Sequence, residues 1–296
     1  PPFPHTLLLL SFLFNLQEWI FQGSYPRVCS EYNLDLPNFF EYVFLSQGYN
    51  PFDIKTSGTR STTYNVRVEG EGGRSENVPV QAINTSTRWV MKNVAAMKEE
   101  KFLTSLDNHI SKIEFQMSGQ QFPNMPHRDI MGNWLTVSDA LLKDEEFGEK
   151  LDKDNGWLND DMKTIKASTK DNLEEAKKIY AFVKNSFKCN GHRGIYVTTG
   201  VKETFKNKKG YVADVNLLLT TMLRHENMQA NPVILSTRSN GFANEIYPLI
   251  NRYNYVICRL DIDGKSYFLD ASEPYLGFNK LPEYCYNGAA RTINKE

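Results

Sequence analysis

The sequence predicts an α+β chain in two parts: a truncated β-sandwich, then a domain in which helices precede strands. Three observations predict this. Residues from about 12 to 118 hold several short apolar or alternating runs broken by turn residues, the pattern of a sandwich. "GQQFPNMPHRDI" (119–130) is polar, carries two prolines and reads as a linker. Beyond it, residues 131–296 pass from helical spacing to strands and a tight hairpin, the order of an α+β core. The expected boundaries are therefore 1–118, a linker over 119–130, and 131–296.

The elements follow in order. "PPFPHTLLLLSFLFNLQEWIFQ" opens the chain, and its apolar run from Leu7 to Leu16 is interrupted by Ser11 and Asn15. That run is too short to span a bilayer and lacks the basic flank of a signal peptide, so Phe12–Gln22 reads as strand. "EYVFLSQGY" (41–49) is aromatic and bounded by Pro37 and Pro51. In "TTYNVRVEG" (62–70), Tyr64, Val66 and Val68 alternate with polar residues, a half-buried strand. "EGGRSENVP" (71–79) reads as an exposed turn. "TRWVMKNV" (87–94) and "HISKIEFQMSG" (109–119) are further strand candidates. His109 sits alone on the last of these, and His127 falls in the linker.

Helical spacing begins at "NWLTVSDALLKDEEFGEKL" (133–151), through Trp134, Val137, Leu141 and Leu142, with a second short helix around Phe147 and Leu151. "DNLEEAKKIYAFVKNSF" (171–187) has an acidic first turn and a stripe of Leu173, Ala176, Ile179, Tyr180 and Val183, as a packed helix requires. "KGYVADVNLLLTTMLR" (209–224) repeats Val212, Val215, Leu218, Leu219, Met222 and Leu223 at three- and four-residue steps, with Asn227 placed to end it. "ANPVILSTR" (230–238) is a strand with Pro232 at its start. "YNYVICRLDIDGKSYFLDAS" (253–272) places two apolar runs around Asp263-Gly264, the signature of a type I′ hairpin.

Composition narrows the function. The chain has 296 residues, 41% hydrophobic and 23% charged, with a formal net charge of -1. It offers no basic field for nucleic acid or an anionic membrane surface. The four cysteines, Cys29, Cys189, Cys258 and Cys285, are widely spaced and form no CxxC, which argues against a zinc site or a disulfide framework. The acidic run 143–154 and Asp160–Asp161 read as a solvated helix face. No cofactor or metal is expected.

The order of "GYVAD" (210–214), "RYNYVI" (252–257) and "YFLDAS" (267–272) resembles the transglutaminase-like branch of the papain-like superfamily. The resemblance implies a Cys at the start of the helix, a His on the next strand and an Asp closing the following one. "SEYNLDLPNFFEYVFLSQGY" (30–49), "MKEEKFLTSLDNHISKIEFQM" (97–117) and "EEFGEKL" (145–151) resemble a β-rich domain that precedes this core in bacterial envelope proteins. That family has further residues on both flanks, so the resemblance implies a piece of a longer, periplasmic or surface-exposed polypeptide.

The triad positions hold Val212, Tyr255 and Asp270. A thiolate at a helix N-terminus is stabilised by the dipole and the free N–H groups; valine has no ionisable group. The base position follows from register. A two-residue loop pairs Ile262 with Lys265, so Ile257 faces Asp270 and Tyr255 lies diagonal to it on the same face. Asn254 points to the other face. A neutral tyrosine, with an ordinary pKa of about 10, is a poor base at pH 7. The sequence therefore predicts a transglutaminase-like pseudoenzyme or binding module with no catalytic residue. Its cleft would hold a peptide or glycan through Arg238, Asn240, Arg252 and Asn254 on the 236–255 loop. The competing readings are a cysteine peptidase or acyl transferase with a relocated nucleophile, with "KCNGHRG" (188–194) the candidate place, and a purely structural domain of a larger protein.

Overall fold

A computed structural model of the chain describes residues 16–69, 75–98 and 105–295. It divides into two compact units, Pro1–Gly132 and Asn133–Glu296. The apolar run before Leu16 and the tip 70–74 of the expected turn lie outside the described residues. Among the described residues, no helix is long and apolar enough to cross a membrane.

In the first unit the strands are β1 (Trp19–Ile20), β2 (Arg27–Pro37), β3 (Phe40–Gln47), β4 (Ile54–Glu69), β5 (Ser75–Val94), β6 (Lys112–Gln120) and β7 (Arg128–Asp129). They form two antiparallel sheets, β1-β6-β3 with β7 on β6, and β2-β5-β4. The sheets face each other through aromatic rings. Tyr32 of β2 lies 5.1 Å from Phe115 of β6, and Trp89 of β5 lies 5.6 Å from Phe44 of β3. Such edge-on and tilted pairs add to area burial, and Trp89 is 2% exposed.

Two expectations change here. Residues 119–130 do not form a free linker: Gly119 and Gln120 end β6 and pair with Asp129 and Arg128. Backbone polar groups were satisfied by a short return strand, which proline-rich composition does not reveal. His109 is not on a strand; it caps a 3-10 turn (Leu106–Asn108) and stacks on Tyr49 with ring centroids 5.8 Å apart.

The second unit contains α1 (Trp134–Lys143), α2 (Asn159–Lys166), α3 (Asn172–Ser186), β8 (Lys188–Cys189), α4 (Val201–Asn207), β9 (Lys209–Gly210), α5 (Val212–His225), β10 (Gln229–Leu235), β11 (Tyr255–Ile262), β12 (Lys265–Leu269) and β13 (Ala290–Thr292). Helix starts are capped as physics demands. Asn133 accepts from Leu135 N and Thr136 N, both at 3.0 Å, and Asp171 accepts from Glu174 N at 2.7 Å, which satisfies otherwise orphaned N–H groups. Phe147 and Leu151 are buried, but in turns rather than a second helix.

The sheet runs β12-β11-β10-β13, all antiparallel. Pro232 lies within β10, not at its start; its carbonyl accepts from Ile293 N at 2.8 Å, just past the end of the β10–β13 ladder. A proline is tolerated there because the missing N–H falls where no ladder bond is required. At the hairpin, Asp263 and Gly264 both have positive φ, 50° and 73°, as a type I′ turn requires.

Helix α5 is the centre of the unit. Every residue from Val212 to Leu223 is buried, so the helix is enclosed on all sides. Its polar residues are satisfied locally: Thr220 and Thr221 donate to the carbonyls of Asn216 and Leu217 at 2.9 and 2.8 Å.

A carboxyl pair links the end of α5 to α2 and α3. Glu226 accepts from Lys166 Nζ at 2.8 Å and lies 2.9 Å from His225 Nδ1. Glu175, 4% exposed, lies 3.9 Å from the same lysine, and its Oε1 has no hydrogen-bond partner. Burial pushes the Glu175 carboxyl up, with Glu226 adding to it against Lys166. Burial opposes ionisation of Glu226 too, but its bonds to Lys166 and His225 hold it down. A raised carboxyl favours the fold below its unfolded value of about 4.3 and loses that contribution as pH rises through its folded value. Glu175→Gln is therefore expected to gain up to about 1 kcal/mol over wild type at pH 8 and little at pH 4. Urea midpoints at the two pH values check this.

Candidate functional site

The site forms where the start of α5 meets the hairpin. β9 brings the chain to the helix, and Gly210 is required there: a Cβ would lie 2.6 Å from Asp214 Cβ. Val212 then begins α5. Its N–H donates to His192 O at 3.2 Å. Asp214, fully buried one turn in, accepts from Tyr211 N at 2.8 Å, from Thr198 N and Oγ1 at 2.9 Å each, and from Thr199 N at 3.3 Å. The positive end of this helix already faces a carboxylate.

Val212 packs with Val233, Leu235, Tyr255, Ile257 and Cys285 in one apolar cluster, with Cys189, Leu281 and Tyr284 against it. The hairpin register is the expected one: Ile262 pairs with Lys265 and Cys258 with Leu269. Asp270 follows directly, and Tyr255 Oη donates to Asp270 Oδ2 at 2.9 Å. Oδ1 of the same carboxylate accepts from Asn216 Nδ2 at 2.9 Å, Ser272 N at 2.9 Å and Ser272 Oγ at 2.6 Å. Asn216 also donates to Val256 O at 3.0 Å and accepts from Ala271 N at 2.8 Å. Tyr180 of α3 directs its hydroxyl at Asp270 O, 3.1 Å away.

This network is closed. Tyr255 and Asp270 are 0% exposed and Val212 is 3% exposed. A short segment after the hairpin covers it. Tyr284 Oη lies 3.2 Å from Tyr255 Oη and donates to Glu273 at 2.7 Å. The Arg193 guanidinium stacks 4.1 Å from the Tyr284 ring.

The electrostatics are those of a core. Burial, reinforced by Asp270, pushes the Tyr255 phenol far above its ordinary value. Burial also pushes up the thiols of Cys189 and Cys285, and that of Cys258 to about 12. A nucleophilic cysteine requires the opposite shift. Cys258 packs in the main core cluster, separate from the Tyr255 cluster. His192, in the loop after Cys189, sets its ring edge-on to Tyr211 at 5.1 Å.

The residues expected to bind ligand hold the loop together. Asn254 accepts from Thr237 N and donates to Thr237 Oγ1, both at 2.9 Å. Asn240 donates to Ser236 Oγ and to Arg252 O, both at 3.0 Å. Arg238 pairs with Glu283 at 2.5 Å and donates to Tyr286 O at 3.2 Å. Arg252 ends a 3-10 turn, Ile250–Arg252. Asn216, Ser272, Tyr284 and Cys285 are the site residues that sequence reasoning missed. Asn216 was within reach, because it lies one helical turn beyond Val212. Among the described residues, no group of three or more His, Cys, Asp or Glu is placed to hold a metal ion.

No curated protein matches the chain. A crystal structure of a proposed protease from Parabacteroides distasonis is similar at 12% identity and a TM-score of 0.47; the alignment covers 86% of this chain and 42% of that one. A proposed cysteine protease from Cytophaga hutchinsonii is similar at 8% identity and a TM-score of 0.33, covering 90% of each chain. The chain thus spans less than half of the Parabacteroides protein. The family model of the transglutaminase-like superfamily matches residues 161–256, which include Val212 and Tyr255 and stop before Asp270. The second half of the chain carries a transglutaminase-like domain.

Proposed function

We propose that this transglutaminase-like domain is non-catalytic and serves as a structural module of a larger envelope protein. One observation carries the reading: Val212 fills the start of α5 and packs with Tyr255, whose hydroxyl is held by Asp270 at 2.9 Å, all three out of solvent. Acyl transfer needs an activated nucleophile beside a base, and the family resemblance puts those two groups where valine and tyrosine stand. The engaged side chains of Arg238, Asn240 and Asn254 favour the structural role over a peptide- or glycan-binding one. The envelope setting rests on the resemblance of the first unit to the β-rich domain of such proteins.

The test is turnover. Wild type, Cys189→Ala and Cys285→Ala are assayed with generic peptide substrates and with glutamine-peptide and amine-donor pairs. All three are expected to match a protein-free control. Turnover by wild type that either alanine variant abolishes would show that the nucleophile has moved, and the proposal would fall.

A further inference from the structure

Four asparagines in the chain precede a glycine: Asn155, Asn190, Asn240 and Asn287. Such a pair is open to self-cyclisation, because glycine sets no side chain beside its own nitrogen. The local chemistry is shared by all four, and the structure separates them. The Asn155 amide donates to Lys150 O at 3.0 Å and to Leu151 O at 3.1 Å. The Asn240 amide donates to Ser236 Oγ and Arg252 O, both at 3.0 Å. The buried Asn287 amide donates to the carbonyls of Ser236, Thr237 and Gly241 at 3.2, 3.2 and 2.8 Å. Each of these carboxamides must break its bonds before it can turn onto the next nitrogen. Asn190 is exposed, and among the described residues its side chain makes no hydrogen bond.

The approach to Gly191 is open as well. Gly191 is exposed with φ 76°, and a Cβ built there would meet nothing within 4 Å. Its N–H donates to Cys189 Sγ at 3.4 Å, and a thiol sulfur is a weak acceptor. The pair lies between two anchors. Asn190 N donates to Gly210 O at 2.9 Å, beside the parallel pairing of Cys189 with Gly210. Two residues on, His192 O accepts from Val212 N at 3.2 Å. The loop thus runs past the start of α5.

We propose that Asn190 is a self-modification site, where the side chain cyclises onto Gly191 N and then opens to aspartate and isoaspartate. Hydroxide removes the Gly191 amide proton. The nitrogen forms a bond to Asn190 Cγ, the Cγ–Nδ2 bond breaks, and ammonia leaves with a proton taken from water. Water then adds to one of the two ring carbonyls and breaks its bond to the ring nitrogen, which regains its proton. Opening at the side-chain carbonyl gives aspartate; opening at the backbone carbonyl gives isoaspartate. One water is consumed and one ammonia is released, with no oxidant or reductant. The isoaspartyl product inserts one carbon into the backbone between residues 190 and 191, so the loop no longer spans Gly210 O and Val212 N in register. The modification thereby loosens the chain beside the start of α5. It is independent of whether the domain turns over a substrate.

The experiment incubates the full chain, folded and in guanidinium chloride, at neutral and at alkaline pH. Peptide mapping by mass spectrometry then follows the amide-to-acid conversion at the four asparagines. In the folded protein Asn190 is expected to convert at least about 10-fold faster than each of the other three, whose carboxamides are freed only by local opening. The rate should rise with pH, and isoaspartate should be found among the products. In guanidinium chloride the four rates should converge. The Tm of aged wild type should fall, whereas Asn190→Gln aged beside it should keep its Tm, because the longer side chain closes the ring poorly. Faster conversion at another of the four sites, equal rates at all four in the folded protein, the same lead for Asn190 in guanidinium chloride, or an unchanged Tm after full conversion would each overturn the proposal.

Discussion

Asp270→Ala is expected to destabilise the second unit by about 3–5 kcal/mol, a fall in Tm of roughly 8–15 °C. The carboxylate is fully buried and accepts from Tyr255, Asn216 and Ser272. Removing it strands a phenol, an amide, a hydroxyl and a backbone N–H in a place water does not reach. Each stranded group bears its own desolvation penalty of about 1–3 kcal/mol, only partly relieved by rearrangement. Asp270→Asn keeps one oxygen for the Asn216 and Ser272 donors and turns an N–H₂ toward Tyr255. That hydroxyl can rotate to accept and donate instead to Ser272 Oγ, 3.0 Å away. The asparagine variant should therefore lose only about 1–2 kcal/mol. Thermal or urea unfolding of the three proteins checks the order. Equal stability of wild type and Asp270→Ala would mean that this carboxylate is not the anchor described here.

Part of this site was legible in the sequence because two local rules fix it. Asp263-Gly264 demands a two-residue turn, the turn sets the register, and the register puts Tyr255 and Asp270 on one face. The observed ladder and the 2.9 Å bond follow from that chain of reasoning. The apolar steps from Val212 to Leu223 likewise fix a helix too buried to move far. The cover over the site had no such rule. "LPEYCYNG" (281–288) has neither period, and only the fold shows Tyr284 and Cys285 turned inward. The loop 236–255 is open to two readings for a related reason. Arg, Asn and Tyr suit a ligand, but the same groups satisfy the backbone of a loop with no sheet partners: Asn240 and Arg238 donate to backbone carbonyls, and Asn254 accepts from a backbone N–H.

In the first unit the difficulty was length. β4 pairs along its full extent with β5, from Ile54 opposite Val90 to Glu69 opposite Ser75. The stretch 55–63 is rich in Thr and Ser and is mostly exposed, so it lacks the alternation by which a half-buried strand is recognised. Only its aromatic ends, near Tyr64 and opposite Trp89, carry a burial signal.

The central claim is that residues 212, 255 and 270 share one site with the geometry of a thiol, a base and an orienting acid, and lack only the groups. Val212→Cys/Tyr255→His supplies both groups; Val212→Cys alone supplies the thiol without the base. Iodoacetamide alkylation of the peptide containing residue 212 is followed by mass spectrometry from pH 5 to 10. An imidazole at 255, oriented by Asp270, should share a proton with the new thiol and generate thiolate below its ordinary pKa of about 8.5. The double variant is predicted to react at least about 10-fold faster than the single variant at pH 7, with its half-maximal pH well below 8.5. Identical pH–rate profiles for the two variants, rising only above about pH 8.5, would contradict the account, because residue 255 would then not address residue 212.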